Sequence, residues 1–341
     1  MRWVVAQPGP SFSVHDTYVG WVEALRNLGQ HVVEFNLDER LTLYASALKQ
    51  IGEGAFQRML TGEQSYELAV NGLYSTLYKA RPDFLLVVSG FFIPPELLDR
   101  ARRSGTRTIV LHTESPYEDE RMMTLAPLVD LLLIDDPTNL ETFQEVTRTA
   151  YVPKAYRPTL HCPGPAVAEL ESDLAFVGTG YQSRIDFLEA MDLDGVDVLL
   201  AGNWAPLAED SKLYPFVAHD PEQCLPNERT VDVYRSAKVG LNLYRREAQR
   251  PELSAGWSMG PREVEMAAIG LPFARDPRGE GDAELPMLPT FSDSAEASEI
   301  VRWFLAHDDE REKASLAIRE AVAWRTFDHM AAVLLQLLNN A

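Results

Sequence analysis

Gly256 to Arg275 reads GWSMGPREVEMAAIGLPFAR, and it is preceded by the apolar run Val239-Gly-Leu-Asn-Leu-Tyr244. That run reads as a buried strand, and Leu271 to Ala274 reads as the next one. Between them Pro261 suits a first helical position, where its missing N–H is no loss, and Gly270 suits a left-handed stop, so the spacing predicts a helix of about ten residues. A strand, a short helix and a strand in immediate succession belong to a parallel α/β sheet. The helix start carries Arg262, a guanidinium able to grip two phosphate oxygens beside the unpaired backbone N–H groups of the first turn. Glu265, about one turn on, is placed to accept hydrogen bonds from a ribose diol. A plainer reading stands beside this one: an Arg and a Glu three apart on an exposed helix face often form only a weak pair.

Working outward, the amino-terminal end repeats the arrangement. Trp3 to Ala6 is a short buried strand, Pro8 to Ser13 a loop of turn formers, and Tyr18, Trp21, Val22, Leu25 and Leu28 mark an amphipathic helix that ends at Gly29. His31 to Phe35 is a second strand. This βαβ unit again implies a parallel sheet, whose ligands bind beyond the strand C-termini, so the loop from Pro8 to Asp16 becomes a candidate site and Asp16 a candidate base. Residues 40–80 carry Leu41, Leu43, Leu48, Ile51, Phe56, Leu60, Leu68, Leu73 and Leu77 at spacings read as the inward positions of two helices.

Phe84 to Val88 and Thr108 to Leu111 are all-apolar strands. The second runs into His112-Thr-Glu-Ser-Pro-Tyr-Glu-Asp119, which puts His112 and Glu114 at a strand end where acid–base chemistry occurs in such sheets. Equally, Glu114 and Ser115 would cap the next helix, with His112 a satisfied buried residue. Asp130 to Ile134 is a further strand. The composition then shifts: Tyr156 to Pro165 holds three prolines and a glycine in ten residues and reads as a linker.

A second domain follows, with the strand Asp173 to Val177 and the loop Gly178-Thr-Gly-Tyr-Gln-Ser-Arg184. Two glycines between a strand and a helix let backbone N–H groups approach phosphate, but the third glycine and the acid of a dinucleotide fingerprint are missing, which disfavours NAD. The strand Val196 to Ala201 ends at Gly202-Asn203-Trp204, and Trp204 would either stack on a base or pack. Phe216-Val217 reads as an edge strand. Asn227 to Ser236 is a helix leading through Lys238 into Val239. Asp276 to Glu284 reads as a flexible acidic loop, and the last 45 or so residues as two or three helices. Asp192-Leu-Asp194 mimics a metal-binding D-x-D but sits away from any phosphate element, so no metal site is assigned.

Arg262-x-x-Glu265-Met-Ala-Ala268-Ile-Gly270-Leu-Pro272 resembles the R-x-x-E-x-x-A-x-G-x-P segment of GT-B glycosyltransferases, and within that fold the chain is most similar to CgeB-like (spore maturation protein) glycosyltransferases. The resemblance extends to Thr113-Glu114-Ser-Pro-Tyr117, to Phe176-Val-Gly-x-x-Tyr181-x-x-Arg184 and to Tyr234-x-x-Ala-Lys238-x-x-Leu-Asn242. It implies an α/β GT-B architecture: two Rossmann-like domains with parallel sheets facing a cleft, residues 1–160 taking the acceptor and 161–323 the donor, with 324–341 as a C-terminal helix crossing back to the N-terminal domain. It further implies that Glu265 holds the donor ribose and that Gly178, Tyr181, Arg184, Asn203, Trp204, Lys238 and Arg262 line the donor side. The acceptor-side candidates are Glu114, His112 and Asp16. The chain departs from many retaining relatives at one point: the position eight before Glu265, a carboxylate in those relatives, is Trp257.

The expected activity is transfer of a sugar, with no cofactor beyond a nucleoside-diphosphate sugar, UDP-sugar favoured, to an acceptor that is a glycan, protein, small molecule or modified DNA base. The alternatives are a nucleotide-sugar epimerase of the same fold, which needs no acceptor, and a non-enzymatic two-domain sugar-binding protein. Of 341 residues 46% are hydrophobic and 24% charged, which suits a globular chain. Fifty-one acids against 31 bases give a net charge of −20, which disfavours a broad nucleic-acid surface. No apolar run reaches membrane-span length, no signal segment is visible, and the two cysteines, Cys162 and Cys224, fit a reducing setting, so a cytoplasmic protein is expected.

Overall fold

The computed structural model describes residues 1–7, 9, 14–247 and 256–339; most of the expected Pro8 to Ser13 loop lies outside them. The chain forms two compact units, Met1–Pro153 together with Phe327–Ala341, and Lys154–Thr326.

In the first unit the elements run β1 (Arg2–Gln7), α1 (His15–Asn27), β2 (His31–Asn36), α2 (Leu37–Ala45), β3 (Leu48–Gly52), β4 (Ala55–Arg58), α3 (Gly62–Ala80), β5 (Phe84–Val88), α4 (Pro95–Arg103), β6 (Arg107–His112), α5 (Asp119–Leu125), β7 (Leu131–Ile134), α6 (Leu140–Gln144) and β8 (Thr149–Tyr151). Six strands form a parallel sheet in the order β2-β1-β5-β6-β7-β8. Its central strands β1, β5, β6 and β7 are mostly apolar and buried, as strands covered by helices are. The chain leaves β1 toward one edge and returns past it toward the other, so the switch point lies between β1 and β5, where Asp16 follows β1.

Residues 40–80 do hold two helices, α2 and α3, but between them an antiparallel hairpin, β3 with β4, turns at Gly52-Glu-Gly54. Gly54 has φ +71, a backbone conformation that ends a helical reading and suits a tight hairpin turn. Leu48, Ile51 and Phe56 of the hairpin are consequently exposed rather than inward, and so are Leu43 in α2 and Leu68 in α3.

In the second unit come β9 (Ser172–Val177), α7 (Gln182–Ala190), β10 (Val198–Ala201), α8 (Asn227–Ser236), β11 (Ala237–Asn242), α9 (Pro261–Ile269), β12 (Phe273–Arg275), α10 (Gly279–Glu284), α11 (Ser294–Ala306) and α12 (Asp308–Val322). The parallel sheet has the order β10-β9-β11-β12, with its switch point between β9 and β11. Phe216-Val217 is no edge strand: Tyr214–Phe216 is a 3-10 turn, and only an isolated bridge joins Val217 to Leu200. The expected acidic loop contains α10. Its Glu280 is buried, accepting the Met259 N–H at 2.7 Å and an Arg325 N–H at 2.6 Å, which anchors the segment to the core.

The last helix, α13 (Phe327–Asn339), belongs to the first unit. Phe327 packs edge-on to Trp21 and against Gly20 of α1, where a Cβ would stand 2.2 Å from the Phe327 ring. Arg148 donates to the Leu337 carbonyl at 2.6 Å from the same unit. The unit boundaries thus fall at 153/154 and 326/327, against the expected 160/161 and 323/324.

Candidate functional site

The switch point of the second sheet gathers most of the expected donor residues. Arg184 in α7 donates to the Thr179 carbonyl at 3.0 Å and to the Leu243 carbonyl at 2.7 Å, tying the loop after β9 to the loop after β11. At 5% exposure its burial, and next the positive charge of Arg262, pull its pKa down to about 10. Arg262 stands half-buried in the first turn of α9, and among the described residues its guanidinium makes no hydrogen bond or ion pair. Two guanidinium groups repelling one another at a helix N-terminus, one of them without a counter-ion, form a field that an anion completes. Tyr181 lies between the Arg184 and Arg245 guanidinium groups, 5.1 and 5.3 Å from its ring centre.

The α9 start is built as the sequence suggested at Pro261 and Gly270, the latter at φ +92, but its capping acid is Glu263. The Glu263 carboxylate accepts the Gly260 N–H at 2.7 Å and the Tyr244 hydroxyl hydrogen. With 0% exposure, burial raises its pKa to about 7 against the pull of those two donors and of Arg275 and Arg278. Glu265, two residues on, is buried beside the Tyr234 phenol, whose pKa is raised by burial and then by the Glu265 charge, while Arg262 lowers it. The charges of Arg262 and Glu265 therefore both act on Tyr234.

Other expected donor residues have structural partners that the sequence did not show. Trp204 has 0% exposure, lies edge-on to Phe176 and fits against Gly180, where a Cβ would stand 2.5 Å from its ring. It packs the loop and presents no face to a base. Gly178 is held by the same packing: Gly202, at φ +114, approaches it so closely that a Cβ there would lie 2.3 Å from the Gly178 carbonyl oxygen. Asn203 accepts the Gly180 and Ala205 N–H groups, at 2.7 Å on its carbonyl and 3.1 Å on its side chain, and so shapes the turn. Lys238 is a clear correction. It sits at the N-terminal end of β11, paired with Asp173 at 2.8 Å near the start of β9, whereas α9 begins beyond the opposite end of β11. A four-carbon stem does not cross a sheet lengthwise.

In the first unit His112 ends β6 with 0% exposure, its Nε2 2.7 Å from Asp119 Oδ1. Asn139 donates to the other Asp119 oxygen at 2.6 Å. Burial works to raise the Asp119 pKa, but hydrogen bonds from His112 and Asn139 outweigh it and hold the carboxyl below its usual range. The imidazole is thus held against Asp119 and enclosed. Glu114, just beyond it, and Asp16, in the first turn of α1, are half-buried at the C-terminal side of the sheet, with β5 between their strands.

Residues 184–336 match the family described as "Glycosyl transferase-like". The chain carries a glycosyl transferase-like domain. Its fold is that of GT-B glycosyltransferases. A sucrose-phosphate synthase from Thermosynechococcus elongatus aligns over 100% of this chain and 99% of its own with a TM-score of 0.64 at 13% identity. A trehalose-6-phosphate synthase, OtsA, aligns over 100% and 99% with a TM-score of 0.63 at 15% identity. An alpha-glucosyltransferase solved in complex with UDP and a 13-mer DNA containing a HMU base aligns over 99% and 98% with a TM-score of 0.67 at 11% identity. No curated protein matches the sequence.

Within the glycosyl transferase-like domain, reasoning from sequence missed Glu263. The signal was present, since an acid three residues after Gly260 is a helix-capping pattern. Asp119, outside the matched region, was quoted as the end of the His112 stretch with no partner assigned to it. His161 lay hidden in a proline-rich stretch.

Proposed function

We propose that this glycosyltransferase-fold chain takes a nucleoside-diphosphate sugar, a UDP-hexose in the first instance, and transfers its sugar to an acceptor hydroxyl. The observation that carries the reading is the Arg262 guanidinium, without a counter-ion among the described residues, beside buried Arg184 at the N-terminus of α9. Phosphate oxygens placed there neutralise both cations, and the leaving diphosphate is stabilised as its charge develops. Glu265 receives the ribose hydroxyls. The UDP in the complex of the alpha-glucosyltransferase of the same fold is in keeping with this donor.

Glu114 is the proposed base on the acceptor side, with Asp16 in reserve and His112 with Asp119 as a rigid support. The guanidinium groups and the helix terminus do the work that a divalent ion does elsewhere, so no metal is required. Membership of the CgeB-like group and a cytoplasmic setting belong to the same proposal; no helix among the described residues is long and apolar enough to cross a membrane. The net charge of −20 points the acceptor away from a long nucleic acid.

The test is release of UDP from UDP-hexoses with and without candidate acceptors. Turnover is expected to persist in EDTA, and Glu114→Gln is expected to lower acceptor-dependent turnover by about two to four orders of magnitude with donor affinity kept. Loss of all activity in EDTA, restored by Mn or Mg, contradicts metal independence. Conversion of the donor's sugar with no acceptor present identifies an epimerase instead.

A further inference from the structure

His161 lies at the start of the second unit with 1% exposure, and nothing above gives it a task. Its Nδ1 accepts the Arg157 backbone N–H at 3.1 Å. An imidazole nitrogen that accepts carries no proton, so the ring's hydrogen is on Nε2. That N–H stands 3.5 Å from Oδ1 of Asn227, the first residue of α8, and 3.9 Å from Oε1 of Glu265 in α9. The Asn227 oxygen is within hydrogen-bond distance of Nε2, and the oxygen of the carboxylate proposed to receive the ribose lies just beyond it. Glu265 is itself buried, and in such surroundings a fixed N–H dipole near 4 Å biases a carboxylate far more than it does in water.

We propose that His161 is a positioning residue for Glu265. Resting on the donor reading above, the inference is that the Nε2–H dipole, 3.9 Å from one carboxylate oxygen, favours one orientation of the group and so decides whether the ribose hydroxyls are engaged in register. His161 acts through Glu265 and contacts neither phosphate nor sugar. Its loss affects recognition of ribose and leaves recognition of diphosphate alone. Gln reaches the Nε2 position with an N–H and replaces it, Phe fills the volume with no N–H, and Asn is too short to reach Glu265.

The experiment is calorimetric titration of the whole chain and of His161→Gln, His161→Phe and His161→Asn with UDP, 2′-deoxy-UDP and inorganic pyrophosphate. Circular dichroism monitors folding. The wild type is expected to prefer UDP over its 2′-deoxy analogue by about tenfold or more, the scale of one hydrogen bond to a charged group. His161→Phe and His161→Asn bring that ratio to within about threefold, with pyrophosphate affinity unchanged, and His161→Gln keeps it, on the same hydrogen-bond scale. If the Phe variant does not fold, the Asn variant decides. An undiminished ratio in these variants overturns the inference while the donor site stands. A wild type that binds UDP with no preference for the ribose hydroxyl overturns it together with the role of Glu265. A wild type that binds neither UDP nor pyrophosphate removes the donor reading on which it rests.

Discussion

Glu263 shows what a single buried carboxylate does to a site. Burial raises its pKa from 4.5 to about 7 even though Tyr244, the Gly260 N–H and two arginines favour the charged form. A carboxyl whose folded pKa lies above its unfolded one contributes stability in full below the unfolded value, and loses it as pH rises through the folded value. The window is therefore about 4.5 to 7. Glu263→Gln keeps an acceptor for Gly260 and never ionises, so the variant is expected to gain on the wild type between pH 5 and pH 8 by up to about 3 kcal/mol. Urea unfolding of both proteins at the two pH values measures this, and a gap that does not change with pH contradicts it. Glu263 was present in the sequence as an acid in the first turn, but linear spacing does not reveal full burial. Trp204 illustrates the same blindness: an aromatic at a strand end reads alike whether it faces a ligand or, as here, lies under Gly180.

At the scale of elements, the legible parts were those whose signal is local. Pro261 and Gly270 bracket α9 as their backbone preferences require, and the apolar runs at Phe84 and Leu131 became β5 and β7. The hairpin of β3 and β4 was misread because exposed Leu48, Ile51 and Phe56 imitate a helical stripe when burial is unknown. The segment α10 was misread because its stabilising partner, Arg325, lies 45 residues away from Glu280. That buried pair yields a prediction. Glu280→Ala leaves the Arg325 guanidinium, 1% exposed, without its closest counter-charge, and is expected to lower stability by about 3 to 5 kcal/mol. Replacing both partners with apolar residues of similar volume should cost much less than the single change. Chemical denaturation of the three variants tests this, and a loss under about 1 kcal/mol for Glu280→Ala, the range of exposed pairs, shows that α10 does not depend on the pair.

For the molecule as a whole, parallel sheets and two units followed from repeated strand–helix–strand runs, but strand order did not, because no local feature tells β9 to lie between β10 and β11. Chain direction along β11, by contrast, separates Arg262 from Lys238. Both looked equally suited to a phosphate in the sequence, yet one follows the C-terminal end of β11 and the other stands at its N-terminal end, held by Asp173. The central claim, a nucleoside diphosphate bound at the start of α9, is tested most directly by calorimetric titration of UDP into the wild type, Arg262→Ala and Lys238→Ala. Arg262→Ala is expected to lose about ten- to a hundredfold in affinity, the equivalent of roughly 1.5 to 3 kcal/mol for a charge-assisted contact, and Lys238→Ala to bind as the wild type does. Equal affinity in all three proteins, or a loss confined to Lys238→Ala, contradicts the account.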